Sequence, residues 1–593
     1  MIEPRIYRAA FVPAILAVVL TMFSLGSRPR PLPQGLAADV LFDGRLARQT
    51  AIDLVELAPD RRAGGVGDRA VAGVVAERLK RRGFAVEVDR FEHADRSLAN
   101  VVARRAGSSR RQIVVLAARD AFRTPDADGS ASDTAALLEL GRVFEGRPSR
   151  RTLVLASVDG STLGDVGTTR LLDSLGEPGL VDAVLVMSDL GARSRGGPLV
   201  QAWSNDSRRA GIGLQRTAAD SIRRELDLPV GGTGALGQLA RLSFPIGIGD
   251  QGVLLERGFE AVRISGSGAL PPDGPGQGQD IDEDRLGGLG RATLRTLTAL
   301  DQARTPPQHG PRSYVTLAGQ VLPGWVLQLL AGALLLPVLA ASLDAFARAR
   351  RRQLAVTPWL RWVAAWVAPF VAGLALAELL AAVGATPVPP AAPVPPAVDP
   401  VDGAALAVLA GVGVAMALAW LAARRLALWP DQTLRAPDAP GAAVALMLVV
   451  SAAALALWLL NPYTALLAVP AAHLWLLACL TDPPPPRRWR LALAAAGGLP
   501  LLLVAIYYLF ALDLDPLGGA WYLLLLVTGH HVSLAGSLLA STLLGAGLAA
   551  LQIARQAQPE PEPPDAQERP RVYGPGGLAG PGSLGGTRSA LRR

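Results

Sequence analysis

Residues 154–164 read VLASVDGSTLG, an apolar run from Val154 to Val158 that stops at a polar turn. A short apolar run bounded by glycine reads as a buried strand. In open α/β sheets the chemistry gathers where such strands end. This turn follows Asp159 with two hydroxyls, Ser161 and Thr162, and no further acid before Asp165.

Working outward, helical and strand patterns alternate from about residue 40 to 305. GDRAVAGVVAERLKRR (67–82) is an amphipathic helix stopped by Gly83, and FAVEVDRF alternates at strand period. NVVARR and QIVVLAA read as strands, followed by a helix from Ser132 to Val143. The strand of residues 154–158 comes next, then a helix near 166–175 and the buried strand AVLVMSD (183–189), ending in Asp189. A helix at about 282–303 closes the alternation. Apolar strands alternating with helices predict an α/β sheet covered on both faces.

The chain of 593 residues is half hydrophobic, and its mean hydropathy of +0.31 is high for a soluble protein. Residues 9–25 form an apolar span after Arg5 and Arg8, read as a membrane anchor or, alternatively, a signal peptide. The expected organisation is a cytoplasmic N-terminus (1–8), the anchor (9–25), a linker (26–39), an extracytoplasmic α/β domain (40–305) and a second linker (306–321). A transmembrane bundle of about seven spans (322–554) and a disordered Pro/Gly-rich basic tail (555–593) complete it. The spans expected are 322–343, 362–383, 403–423, 441–460, 464–480, 491–511 and 520–553, the last long enough to break at TGHH.

Charge placement orients the bundle. Arg348, Arg350, Arg351 and Arg352 follow the first span, Arg424 and Arg425 the third, and Arg487, Arg488 and Arg490 the fifth. The alternate loops, including the Pro-rich 384–402, carry no Arg or Lys. Arginine on one side only puts both termini in the cytoplasm and the α/β domain outside, in a cell membrane. Basic residues exceed acidic ones by 58 to 50, with Lys80 the only lysine. The arginines are scattered or flank apolar spans, so nucleic acid is not expected as a partner. The expected partners are the lipid bilayer and other membrane proteins or an extracellular peptide. Cys479, the only cysteine, excludes a disulfide framework.

Generic motifs do not assign chemistry. Gly247, Gly249 and Gly252 in GIGDQG fit G-x-G-x-x-G, but only a helix of a turn or two fits before Gly258, which favours a loop. His93 and His309 are the histidines outside the spans and read as solvated loop residues.

The order of strand-end acids is more specific. IVVLAARDA, PDADGSASDTAALLEL, RTLVLASVDGSTLGDVG and VLVMSDLGA follow one another at domain-like intervals. Over about 40–305 this run resembles the di-zinc aminopeptidase family, peptidase family M twenty-eight. The resemblance implies a central mixed sheet flanked by helices, two zincs bridged by an Asp, and a Glu that takes a proton from the shared water. On this sequence Asp120 matches the Asp of the family's His-x-Asp, whose His position is Ala118. Asp128 falls at the bridging position and Asp189 at a later ligand position, while Ser161 and Thr162 stand where the family has its Glu pair.

Two carboxylates are too few for zinc, which takes three or four ligands. Ser or Thr without a partner cannot replace the lost base. The expectation is therefore a degenerate site without catalytic residues and without a cofactor, leaving Asp128, Asp159, Ser161 and Asp189 to line a peptide- or amine-binding cleft. The alternative is an active zinc peptidase with rearranged ligands that recruits His93 or Asp159. A second alternative is a transporter using Glu378 and a cluster of His473, His530 and His531. The layout of anchor, peptidase-like domain and bundle resembles the Gaa-one-type subunit of the GPI transamidase, which implies a role in binding or assembly.

Overall fold

The computed structural model describes residues 3–33, 41–193, 197–272, 274–304, 310–427 and 440–555. His309 and the tail lie outside them. Ten strands form two sheets. The small sheet comprises β1 (Gly26–Ser27), β9 (Tyr314–Leu317) and β10 (Gln320–Pro323). The large one comprises β2 (Ala85–His93), β3 (Arg96–Arg105), β4 (Ser109–Ala118), β5 (Arg151–Val158), β6 (Val181–Ser188), β7 (Leu199–Gln201) and β8 (Ala261–Ser265).

The large sheet runs β2-β3-β5-β4-β6-β8-β7 and is mixed. β5, β4, β6 and β8 are mutually parallel, while β2, β3 and β7 run antiparallel to their neighbours. The parallel strands are apolar almost throughout, as strands buried on both faces must be. From β4 the chain passes through the helix Ser132–Val143 to β5 on one side. It then returns through Val166–Leu175 to β6 on the other side of β4. The loops leaving β4 and β6 therefore diverge, opening a crevice at the strand ends between them. Register brings those ends level: Ala118 lies opposite Val158, and Ser188 opposite Ser265.

Sequence signals account for the turns. Ala94 and Asp95, which join β2 to β3, both have positive φ, as do Ala318 and Gly319 between β9 and β10. Two consecutive residues of this kind match the right-handed strand twist. The expected linkers are accordingly structured in part, because YVTLAGQVLP carries strand alternation on both sides of such a turn. GIGDQG also departs from the expected loop: Gly249, at φ +100°, leads into the helix Asp250–Glu256.

Seven helices are long and apolar enough to cross a membrane, or eight if the bent pair Arg487–Ala496 and Leu499–Ala511 counts as one. The expected span 520–553 is two helices, Pro516–Thr528 and Leu534–Arg555, interrupted at Gly529–Ser533. At about 1.5 Å per residue only the second reaches the ~30 Å of a bilayer core. The helix Gly324–Arg351 begins where the Gly324 N–H donates to Ser313 O (2.7 Å), and Arg348 near its other end lies 3.7 Å from Glu3. At the first of these ends the bundle meets the α/β part. Asn461 Nδ2 donates to Leu242 O and Ser243 O (3.1 and 3.2 Å), and Thr464 Oγ1 donates to Ser243 O (2.7 Å). Ile248 packs with Leu512, Tyr522 and Leu526. Arginines gather at the far end, where Arg490 donates to Ile553 O (2.6 Å).

Arg209 ties β9 of the small sheet to the segment after β7 and to the helix Ala235–Ser243. Its guanidinium lies 4.1 Å from the Trp203 ring centre and 4.4 Å from that of Tyr314, and it donates to Gln238 Oε1 (2.8 Å). Replacing Arg209 with Met keeps the length but removes charge and donors. We expect a loss of about 1–3 kcal/mol in stability, read as a lower midpoint of thermal unfolding.

Candidate active site

Below the strand ends lies a fully buried ion cluster. Arg119, the residue after β4, makes a two-pronged pair with Asp68 on the helix Val66–Arg81: Nε donates to Oδ1 at 2.9 Å and Nη2 to Oδ2 at 2.7 Å. The guanidinium also donates to Ala99 O and Ser157 O (2.7 and 3.2 Å), and Asp159 Oδ2 lies 3.8 Å away. Asp159 accepts from the backbone N–H of Gly64 and Ala99 (3.2 and 3.1 Å). It was expected to line a cleft. Instead it is buried completely and turned beneath the turn.

Above this cluster Asp120 grips the turn. Its carboxylate accepts from Ser161 N–H (3.1 Å), Thr162 N–H (2.8 Å) and the Thr162 hydroxyl (2.7 Å). The Ser161 hydroxyl donates to Asp250 (3.1 Å), as does Thr168 Oγ1 (2.5 Å). Both hydroxyls of the turn are thus committed to buried acids.

The remaining acids surround the crevice between β4 and β6. Asp189, at φ +54°, accepts through Oδ2 from the hydroxyls of Ser188 (2.8 Å) and Ser267 (2.7 Å). Asp133 holds the same loop, accepting from Asp189 N–H (2.8 Å) and Leu190 N–H (2.9 Å). Asp126 accepts from Ser130 N–H and its hydroxyl (2.9 and 2.5 Å), and Arg61 donates to Ser130 Oγ and Asp126 O (both 3.2 Å). Asp128 is 6% exposed, and its Oδ1 is buried without a hydrogen-bond partner. Gly276, with φ +60°, lies so close that a Cβ there would fall 1.9 Å from that oxygen.

Burial dominates the electrostatics. It raises Asp120 and Asp126 to about 6, against the hydrogen bonds from Thr162 and Ser130. Asp159 rises to about 8 by burial and by its neighbours Asp68 and Asp120, with Arg119 opposing. Burial and then Asp250 raise Asp165 well above the usual carboxylate range. Arg263 is lowered by burial, while Asp189, Asp250, Asp165 and Asp133 oppose the shift.

A di-zinc centre does not fit these residues. Among the described residues no group of three or more His, Cys, Asp or Glu side chains is placed to hold a metal ion. Asp189 Oδ2 is engaged by two hydroxyls, Asp120 by the turn, and position 118 is an alanine. The cations that offset these acids are the buried Arg61, Arg119 and Arg263. Among the described acids at the strand ends, Asp128 Oδ1 and Asp165 Oδ2 are buried without a hydrogen-bond partner.

His93 is exposed at the tip of the β2–β3 hairpin, apart from the acids. His473 meets the Tyr7 hydroxyl through Nδ1 (2.7 Å) and Leu334 O through Nε2 (2.9 Å). His531 instead lines a groove with Pro389, Val394, Asp399 and Tyr522. His473 and His531 therefore occupy separate settings. Glu378 Oε1 is buried without a partner.

The end of the turn, at Leu163 and Gly164, is covered by the loop between the helices Thr357–Ala382 and Gly403–Ala427. Gly164 has φ +88°, and a Cβ there would lie 2.5 Å from Ala391 N and 2.6 Å from Ala392 N. Ala391 N–H donates to Leu163 O (3.4 Å), and Ala392, 3% exposed, joins the hydrophobic core of the α/β part. Tyr522 Oη donates to Val394 O (2.9 Å) and Trp521 Nε1 to Asp399 O (3.0 Å), fixing the loop from below. Nothing in the strand pattern announced this contact, which joins residues far apart in sequence.

No protein-family model matches the chain, and a search of curated proteins gives no match. Among solved structures it is similar to an Acidobacteriales bacterium glutaminyl cyclase, at 16% identity over 46% of this chain and 99% of that one, TM-score 0.35. It is also similar to a Bacillus subtilis zinc aminopeptidase, at 13% identity over 47% and 99%, TM-score 0.37. A Zn-dependent exopeptidase from Parabacteroides distasonis matches at 15% identity over 43% and 98%, TM-score 0.35. These are likenesses of fold.

Two tests follow from the ion cluster. Arg119→Met would leave the Asp68 carboxylate unpaired in the interior and should cost about 3–5 kcal/mol, measured by denaturant unfolding. Asp159 also sets a pH dependence. Its folded value of about 8 exceeds the unfolded value of about 4, so its stabilisation is complete below about pH 4 and is lost as pH rises through about 8. The midpoint of thermal unfolding should fall as pH rises from about 4 to about 8 and level off above that, and Asp159→Asn should flatten that slope.

Proposed function

We propose that this chain is a multi-pass membrane protein whose α/β part keeps a peptidase-like fold but serves binding or assembly rather than di-zinc catalysis. The observation that carries this reading is the loop seated on Leu163 and Gly164, which packs the chain's own backbone against the end of the turn that begins with Ser161 and Thr162. The engagement of Asp120, Asp189 and both hydroxyls by internal partners supports it. Arginines gathered at the far end of the bundle favour a cytoplasmic position for that end and for both termini, with the α/β part outside the cell membrane. Partners would then be the bilayer itself and other membrane proteins or an extracellular peptide.

The unengaged, buried Oδ1 of Asp128 favours a second reading, a metallopeptidase with rearranged ligands. Zinc analysis and aminopeptidase assay of the purified full chain separate the two. We expect well under one zinc per chain and no release of N-terminal amino acids above blank. Two tightly held zincs with turnover abolished by Asp128→Ala would establish the second reading instead.

The loop contact has its own test. Gly164→Val places a branched side chain at positive φ and against the Ala391 and Ala392 backbone, costing at least about 1–2 kcal/mol. Amide hydrogen exchange should quicken at Leu163–Asp165 and at Ala391–Ala392 together. Faster exchange at only one of the two segments would show that they do not hold each other.

A further inference from the structure

Strand β2 is the outermost strand on its side of the large sheet, and its ladder runs to β3 alone. Its nine residues contain neither Pro nor Gly, and among the described residues no segment pairs with its outer side. A long open edge is a ready template for another extended chain, and proteins usually guard it.

Beside this edge runs a groove. Val88 and Arg90 of β2 and Ser97 and Ala99 of β3 form its floor, and Arg69 and Gly73 of the helix Val66–Arg81 line its wall. Its volume is about 140 Å³, roughly four to five waters at ~30 Å³ each. That is room for a side-chain carboxylate rather than a free-standing ligand. A Cβ on Gly73 would touch nothing within 4 Å, so the wall is open there.

The groove is positive for a structural reason. Asp68, next to Arg69, is turned inward onto Arg119. Glu87 and Asp89 point to the opposite face of β2, where they pair with Arg104 (3.0 Å) and Arg170 (2.8 Å). Arg69 donates to Gly64 O, and neither Arg69 nor Arg90 forms an ion pair among the described residues. Glu92, on the same face as Arg90, pairs with neither.

We propose that the outer edge of β2 is a docking site for an extended acidic segment of a partner protein, which adds as a further strand and lays a carboxylate in the groove of Arg69 and Arg90. Backbone hydrogen bonds along the edge would supply affinity, and the charge-assisted contacts would set register and preference. The groove shares no residue with the turn at 160–164, so the inference holds whether or not the strand-end site is catalytic.

The probe is a fluorescein-labelled peptide of about ten alternating Thr and Glu residues, with a Thr/Gln twin, titrated by anisotropy against the detergent-solubilised full chain. We expect saturable binding of the Glu peptide, at least about tenfold tighter than the twin, and a drop to the twin's level in the Arg69→Gln/Arg90→Gln double variant. Hydrogen exchange should slow within Ala85–His93 when the Glu peptide is bound. Both arginines are exposed, so the double variant should keep its unfolding midpoint. Absence of saturable binding, equal affinity for the two peptides, an unchanged double variant or protection elsewhere would overturn the proposal. Binding that inorganic phosphate abolishes, without slowed exchange in β2, would reveal a bare anion pocket and would overturn strand addition.

Discussion

The Arg119 guanidinium, sealed beneath the strand ends, is the contact on which the surrounding architecture rests. It joins the end of β4 to the helix Val66–Arg81 through Asp68, to β3 through Ala99 O, and to β5 through Ser157 O. A buried charge is tolerated only when paired and hydrogen-bonded on all sides. The elements around Arg119 are therefore held to one arrangement, since any shift would leave a charge unmatched. Asp120 and Asp159, on the neighbouring strand ends, inherit their positions from it.

The same principle explains the strand-end site. Where Asp120, Asp128, Asp165 and Asp250 are buried near the strand ends, positive charge has to come from somewhere. Here the buried counter-charges are Arg61, Arg119 and Arg263, while burial raises several of the carboxyls above their usual range. A guanidinium delivers charge and directional donors but no open coordination position. An acid cluster balanced in this way is a scaffold for a turn, and the turn in turn receives the Pro-rich loop.

That loop links the two halves of the molecule. Its prolines hold an extended backbone and carry no N–H group to satisfy, and Ala391 and Ala392 are small enough to lie against Gly164. Tyr522 and Trp521 hold it from the helix Pro516–Thr528, so a helix too short to span a membrane has a definite mechanical task.

Much of the fold was legible in the sequence. The apolar strands, the helix Ser132–Val143 and the helices long and apolar enough to cross a membrane follow from hydropathy pattern. The order of Ala118, Asp120, Asp128, Ser161, Thr162 and Asp189 along those elements was equally plain. Only the tertiary structure decided where the side chains point: Asp159 down to backbone amides, Ser161 to Asp250, His93 out to solvent, and residues 391–392 onto Gly164. These outcomes depend on which buried donors and acceptors find one another across long sequence separations. Hydrogen bonding is directional and specific to place, whereas hydropathy records only that a residue is buried, not what it meets there.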